Sequence, residues 1–197
     1  MVRSGPVRRI GIFGGTFDPP HIGHLVAAVD AQQVLGLDTV LLVVAAEPWQ
    51  KVGTRPISPA DDRLAMVAAA VADTPGIEAS DLEMARGGPS YTADTLAQLH
   101  HEDPEAELFL ILGNDAAAGF SSWERHDEVA AAATLVVVDR PGSPPLVDPD
   151  HEWTRVDIPE LEISSTEIRE RVAAGRSIRY LVPPGVAAVV DQRDLYR

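Results

Sequence analysis

Short unbroken apolar runs alternate along this chain with longer stretches in which apolar residues recur every three or four positions. Unbroken runs predict strands buried on both faces, and the spaced pattern predicts helices with one buried stripe. Residues 9–13 predict the first strand, and 21–35 a helix that Gly36 closes. Residues 39–45 predict strand two. Ser58-Pro59 should open the next helix, with serine as cap, proline in the first helical position, and Asp61 and Asp62 suiting the dipole. That helix should reach about Ala72, and Pro75-Gly76 should end the segment. A short strand is expected over 77–82, a helix over 92–101, and a strand over 108–112 bounded by Gly113. A helix over 124–132 and a strand over 135–138 follow. Residues 141–149 are proline-rich and read as loop. The chain should end with a strand over 154–158, a helix over 165–174 with Gly175 beyond it, and a helix over 184–191. Alternating strands and helices predict an α/β fold with a doubly wound parallel sheet and helices on both faces. Nothing in 141–149 separates two units, so residues 1–197 read as a single domain.

Composition narrows the chemistry. The 197 residues include no cysteine, which excludes disulfides, thiolate metal sites and cysteine nucleophiles. Thirty acidic residues against 16 basic ones give a net charge of −14. That balance argues against an extended nucleic-acid surface, which needs clustered positive charge. No stretch approaches a transmembrane span, and Met1-Val2-Arg3-Ser4-Gly5-Pro6 lacks the apolar core of a signal peptide. A cytoplasmic protein without membrane partners is expected, and a homo-oligomer is compatible with the sequence. Lys51 is the only lysine. It reads either as a solvated loop charge or as an ammonium placed against phosphate oxygens.

Two strings carry phosphate chemistry. The first is Gly14-Gly15-Thr16-Phe17-Asp18-Pro19-Pro20-His21-Ile22-Gly23-His24, between the first strand and its helix. Glycines let backbone N–H groups approach a ligand, and a helix start attracts anions. The two histidines add donors that serve a phosphate near neutral pH. The second is Ile163-Ser164-Ser165-Thr166-Glu167-Ile168-Arg169, which opens another helix. Ser164 and Glu167 fit a capping box. Three hydroxyl residues exceed what one cap requires, and Arg169 so near a helix start suits a bound anion. Neither string is a G-x-x-x-x-G-K-[ST] loop or a G-x-G-x-x-G turn.

The first string resembles the opening of bacterial nicotinate mononucleotide adenylyltransferases, members of the nucleotidylyltransferase superfamily. The second resembles the I-S-S-T-x-[IV]-R element of the same superfamily. Ser90-Tyr91-Thr92-Ala93-Asp94-Thr95-Leu96 is similar to the family's S-Y-T-x-D-T-L. Gly113-Asn114-Asp115 resembles its G-x-D, with Asn114 where alanine is frequent, and Trp123 stands at the following tryptophan. Pro48-Trp49-Gln50-Lys51 takes the place of Pro-x-His-Lys, with Gln50 where histidine is usual. Arg140-Pro141-Gly142 is also a family feature.

The resemblance implies a Rossmann-like fold whose C-terminal helical part, from about residue 164, carries the second phosphate signature. It implies transfer of adenylyl from ATP to nicotinate mononucleotide, by direct in-line attack, giving deamido-NAD and pyrophosphate. His21, His24, Lys51 and Arg169 are then the candidate catalytic residues. ATP is expected at Gly14, Gly15, Thr16, Phe17, His24, Gly113, Asp115, Ile163, Ser164, Ser165, Thr166 and Arg169. Nicotinate mononucleotide is expected at Asp18, His21, Lys51, Tyr91, Thr92 and Trp123. Mg²⁺ is expected on the ATP phosphates, with no metal held by the protein's own side chains.

Plainer readings stand beside these. His21 and His24 could ligate a metal or lie on the surface. Asp18 could only shape the Asp-Pro-Pro turn. Asp115 could begin a helix, Trp123 could be a core or lid aromatic, and Tyr91-Thr92 could only start a helix. His100-His101, His126 and His151 read as surface residues, and Trp49 and Trp153 as structural. The alternatives in function are a sibling transferase using nicotinamide mononucleotide or phosphopantetheine, a nucleotide-sensing module without catalysis, and a structural interaction domain.

Overall fold

The computed structural model describes residues 7–47, 56–139 and 147–197. Six parallel strands form one sheet: β1 (Arg9–Gly15), β2 (Thr39–Val44), β3 (Ile77–Ser80), β4 (Glu107–Gly113), β5 (Thr134–Asp139) and β6 (Thr154–Asp157). Their order across the sheet is β3-β2-β1-β4-β5-β6. Succession therefore runs outward one way from β1 to β3, then outward the other way from β4 to β6. The reversal between β1 and β4 is the place where open α/β sheets bind ligands, beyond the carboxyl ends of the strands.

Helices α1 (Ile22–Leu35), α2 (Ala60–Val71), α7 (Ser165–Ala173) and α8 (Pro184–Gln192) cover one face. Phe13, Val40, Leu42, Val44, Phe109, Ile111, Val136 and Val138 point to it. Helices α4 (Thr92–Glu102) and α6 (His126–Ala132) cover the other, above Ile10, Ile12, Leu108, Leu110, Leu112, Leu135 and Val137. Successive strand residues thus alternate between two cores, which is why the strands read as unbroken apolar runs.

The expected elements are present, with four local corrections. Pro59, not Ser58, takes the cap position of α2, with no side-chain cap bond. The strand expected over 77–82 stops at Ser80, because Leu82 opens a short helix, α3 (Leu82–Arg86). The Ser80 hydroxyl accepts the Leu82 N–H at 3.4 Å at that turn. A second short helix, α5 (Asn114–Ala118), follows β4 directly, and a 3₁₀ turn over Phe120–Ser122 leads to Trp123. The helix expected from 124 begins at His126, since Arg125 has a left-handed φ of 59°. Its guanidinium forks onto both oxygens of Glu128, at 3.1 and 2.9 Å, and also reaches Asp94 of α4.

The expected Gly36 closure is present: φ of 60° places it in the left-handed region that ends helices. Pro48-Trp49-Gln50-Lys51, Arg140-Pro141-Gly142 and most of the 141–149 loop lie outside the described residues. Among the described residues no helix is long and apolar enough to cross a membrane.

Candidate active site

The Gly-Gly turn runs from the end of β1 into a loop that delivers His21 to the cap of α1. His21 has extended backbone, and its N–H donates to Nδ1 of His24 at 3.1 Å. A ring whose Nδ1 accepts carries its proton on Nε2. The backbone thereby sets His24 as an Nε2–H donor in the neutral form. The two imidazoles stack at 3.7 Å between centroids, tilted by 34°. His21 is buried, and desolvation lowers it from its ordinary 6.5 to about 4. Its Nδ1 has no hydrogen-bond partner among the described residues.

Phe17 sits behind the pair. It is 2% exposed and meets His24 edge-on at 5.2 Å. Its ring therefore supports His24, and only its backbone is left for the nucleotide expected there. The α1 terminus is also less open than the sequence suggested. The Ile22 N–H, the first donor of the helix, goes to the Leu181 carbonyl at 3.0 Å. The anion-binding capacity here rests more on side chains than on the helix end.

The second signature docks on the first. Ser164 caps α7, accepting the Glu167 N–H at 3.1 Å, which is one half of a capping box; the Glu167 carboxylate pairs with Arg171 at 2.9 Å. Ser165 and Arg169 reach instead across nearly the whole sequence. The Ser165 hydroxyl donates to the Pro19 carbonyl at 2.8 Å, and Arg169 Nη1 to the Asp18 carbonyl at 2.8 Å. Arg169 Nη2 donates to the Thr166 hydroxyl at 3.0 Å. Hydroxyls, a guanidinium and two imidazoles thus converge on one loop. Ile163 is half-buried and packs on the core beside α7.

A cleft of about 270 Å³ opens at the switch point. It is lined by Gly14, Gly15 and Thr16 from the β1 turn, Gly113 at the end of β4, Tyr91 and Thr92 at the start of α4, and Trp123. A Cβ at Gly14 or Gly113 would meet nothing within 4 Å among the described residues, so bare backbone faces the cleft at the ends of β1 and β4. A ligand can approach the main chain closely at both. Asp115 is exposed and lies outside this lining, at the start of α5. Lys51 falls outside the described residues.

Three residues that hold or border the candidate site were not legible in the sequence. Arg63 of α2 is 2% exposed. It donates to the carbonyls of Ser58 (2.9 Å), Thr16 (3.0 Å), Ala45 (2.7 Å) and Ala46 (3.3 Å). One guanidinium thus ties the glycine turn to the end of β2 and the approach to α2. Tyr196 donates its hydroxyl to Asp18, and burial, ahead of that bond and the Asp18 charge, raises its phenol well above the ordinary 10. Glu83 of α3 is 7% exposed and borders the cleft, where its Oε1 accepts the Thr95 hydroxyl at 2.9 Å. Arg86 donates to that same hydroxyl at 3.2 Å, so α3 and α4 are bonded together beside the cleft. The only signal for these three was a charged or aromatic residue near a motif.

Comparison with known proteins agrees with this geometry. A family model described as cytidylyltransferase-like matches residues 12–171. A Thermus thermophilus protein named "Probable nicotinate-nucleotide adenylyltransferase" is 48% identical over 189 residues, covering 96% of this chain and 100% of its own. A protein of the same name from Corynebacterium kroppenstedtii is 46% identical, covering 100% of this chain and 94% of its own. The nicotinic acid mononucleotide adenylyltransferase of Plasmodium falciparum, solved in complex with NaAD, superposes with a TM-score of 0.78. At 18% identity over 96% of this chain and 97% of that one, it shares the fold. With relatives this similar over essentially the full length, and with both phosphate signatures meeting at one loop, the chain belongs to the nicotinate-nucleotide adenylyltransferase family of Rossmann-like nucleotidyltransferases.

Proposed function

We propose that this chain, acting as one nucleotidylyltransferase unit, transfers the adenylyl group of ATP to nicotinate mononucleotide, giving deamido-NAD and pyrophosphate in NAD biosynthesis. The observation that carries this reading is the docking of Ser165 and Arg169 on the Asp18-Pro19 loop beside the stacked histidines; that loop follows directly on the Gly14–Thr16 turn that lines the cleft with Tyr91, Thr92 and Trp123.

The acceptor phosphate is already a nucleophile near neutral pH, so no strong general base is required. The residues align it in line with the α-phosphorus and neutralise charge on the leaving pyrophosphate. His24 presents Nε2–H as a donor that needs no reorientation as charge develops. His21, kept neutral by burial, aligns the α-phosphate and the acceptor phosphate. Arg169, Ser165 and Thr166 hold the β- and γ-phosphates, and Lys51 neutralises the acceptor phosphate. Gly14, Gly15, Thr16 and Gly113 form the close backbone wall, Asp115 accepts a ribose hydroxyl, and Trp123 stacks on the pyridine.

The donor set at the loop is imidazole, hydroxyl and guanidinium, which suits phosphate oxygens and not a magnesium cage. Asp18 is 1% exposed and already accepts from Tyr196. These residues fit Mg²⁺ carried on the nucleotide's own oxygens, where it would neutralise phosphate charge. A cytoplasmic location fits these soluble substrates.

A pyrophosphate-release assay with ATP and a panel of nicotinate mononucleotide, nicotinamide mononucleotide and phosphopantetheine tests the reading. Turnover is expected with the nicotinate compound, and His24→Ala should lower kcat by about 10²-fold, the scale for losing a preorganised donor. Turnover with phosphopantetheine alone, or with none of the three, would overturn it.

A further inference from the structure

The geometry points to a transition-metal site at His126, Asp127 and His151, on the sheet face opposite α1, which would hold a zinc-like divalent cation. The sequence suggested surface histidines and no metal held by the protein. Instead, one nitrogen of each ring and a carboxylate oxygen of Asp127 lie within 4.8 Å of one another.

Two further observations point to a cation. Nδ1 of His126 is shielded from solvent and has no hydrogen-bond partner among the described residues, while Asp127 Oδ1 lies 3.4 Å from it. A shielded ring nitrogen without a partner is costly unless something fills that position. The second observation is the bond behind His151. Its Nδ1 lies 3.2 Å from Oδ1 of Asp148, and both side chains are largely buried, at 10% and 8% exposed. The Asp148 carboxylate accepts the Ser121 N–H at 3.1 Å and the Asp150 N–H at 3.0 Å, which fix its position. Facing Nδ1 of His151, it accepts that nitrogen's proton and leaves Nε2 as the ligand atom. Carboxylate–histidine pairing of this kind orients the ligating ring at many metal centres.

Two imidazoles and one carboxylate form a donor set for zinc-like ions, not for magnesium. Tetrahedral bonds of about 2.0–2.1 Å place ligand atoms about 3.4 Å apart, so the group closes by up to about 1.4 Å. Asp127 is 90% exposed at its side chain and can make that movement. Water would complete the coordination.

The site would act as a clamp. Phe120 packs edge-on against both rings, at 6.2 Å from His126 and 4.8 Å from His151, and lies 5.6 Å from Trp123. The His126 N–H donates to the Trp123 carbonyl at 3.3 Å. A bound ion would join the segment that carries Trp123 to the 148–153 loop. The coordination chemistry stands without the assigned substrate, and only an effect on the acceptor pocket rests on the function proposed above.

The test is metal binding by the full chain after chelator treatment. Co²⁺ titration followed by visible absorption, and Zn²⁺ titration by calorimetry, should show one equivalent bound with tetrahedral Co²⁺ bands. Asp127→Ala, at an exposed position that does not threaten folding, should weaken binding at least tenfold, and so should His126→Ala and His151→Ala. Asp148→Asn should weaken it about 10- to 100-fold, as loss of an orienting partner does. Zn²⁺ should raise the Tm of the parent chain and not that of Asp127→Ala. A His100→Ala/His101→Ala variant should bind as the parent does. Absence of saturable binding, or equal binding by Asp127→Ala, would overturn the site, whatever the outcome of the transferase assay.

Discussion

The hydroxyl of Tyr196 donates a 2.7 Å hydrogen bond to Oδ1 of Asp18, joining the end of the chain to the loop that bears the histidine pair. Tyr196 holds a left-handed φ of 66°, which a non-glycine residue adopts only when its surroundings favour it. The same loop receives Arg169 and Ser165 through the Asp18 and Pro19 carbonyls. Three sequence-distant side chains thus fix one short segment between β1 and α1.

Tyr196→Phe removes the donor and leaves a buried carboxylate oxygen less satisfied. A loss of about 1.5–3 kcal/mol is expected, the range for a hydrogen bond to a charged group. Urea unfolding measures it, and an unchanged midpoint would mean that Asp18 is held by its other contacts.

His21 should make stability depend on pH. Its folded value of about 4 lies below the ordinary 6.5. Between these values the unfolded chain binds this proton and the folded chain does not, so stability falls as pH falls. The component is fully present above about pH 6.5 and lost by about pH 4, and amounts to about 3 kcal/mol. His21→Asn should unfold with a shallower acid limb than the parent in urea titrations across that window. Parallel limbs would show that His21 titrates as it does in the unfolded chain.

Arg169 and Arg171 should behave differently. Arg169 reaches the loop, whereas Arg171 is paired with Glu167 one turn back, at 2.9 and 2.8 Å. Arg169→Ala should raise the KM for ATP or lower kcat by about tenfold or more, the loss of a charge-assisted contact. Arg171→Ala should change neither beyond about twofold, since exposed helical pairs contribute little. Steady-state kinetics on both variants decides it, and equal losses would point to general electrostatics.

Arg63 should be a stability and positioning residue together. Arg63→Leu leaves four carbonyls without this donor, and a loss of about 3 kcal/mol or more is expected. Arg63→Lys should recover only part, because one ammonium cannot match a planar fork across several acceptors. Denaturation midpoints for both variants measure the split. Equal stability of Lys and Arg at this position would mean that charge alone suffices.

The acceptor pocket should prefer the carboxylate. Tyr91 and Thr92 stand at the start of α4, whose N–H groups suit an anion, and Trp123 offers a flat wall. Nicotinate mononucleotide should exceed the nicotinamide compound at least about tenfold in kcat/KM, equivalent to roughly 1.4 kcal/mol. The pocket is not bordered by donors alone, since Glu83 lies on it, but its Oε1 is engaged by Thr95. Trp123→Ala should lower kcat/KM for both acceptors. Equal use of the two by the parent chain would mark a dual-specificity enzyme.

The sequence by itself determined the strands, most helices and both phosphate signatures. These are local properties: unbroken apolar runs, a left-handed glycine at position 36, and a serine cap at position 164 are set by neighbours a few residues away. Even there the helix onset at 126 was misplaced, because the left-handed turn at Arg125 is sustained by Asp94 on another helix. Tertiary structure alone decided the rest. Nothing near Arg63 in the chain says that α2 will bury its guanidinium under the glycine turn, and nothing near Tyr196 indicates Asp18. His126 and His151 read as surface residues in the sequence, whereas the fold packs Phe120 against both rings and Asp148 against His151. Arg63 meets Thr16, Tyr196 meets Asp18 and His151 meets Phe120 across long separations in the chain, and only the packing of the elements that carry them brings each pair together.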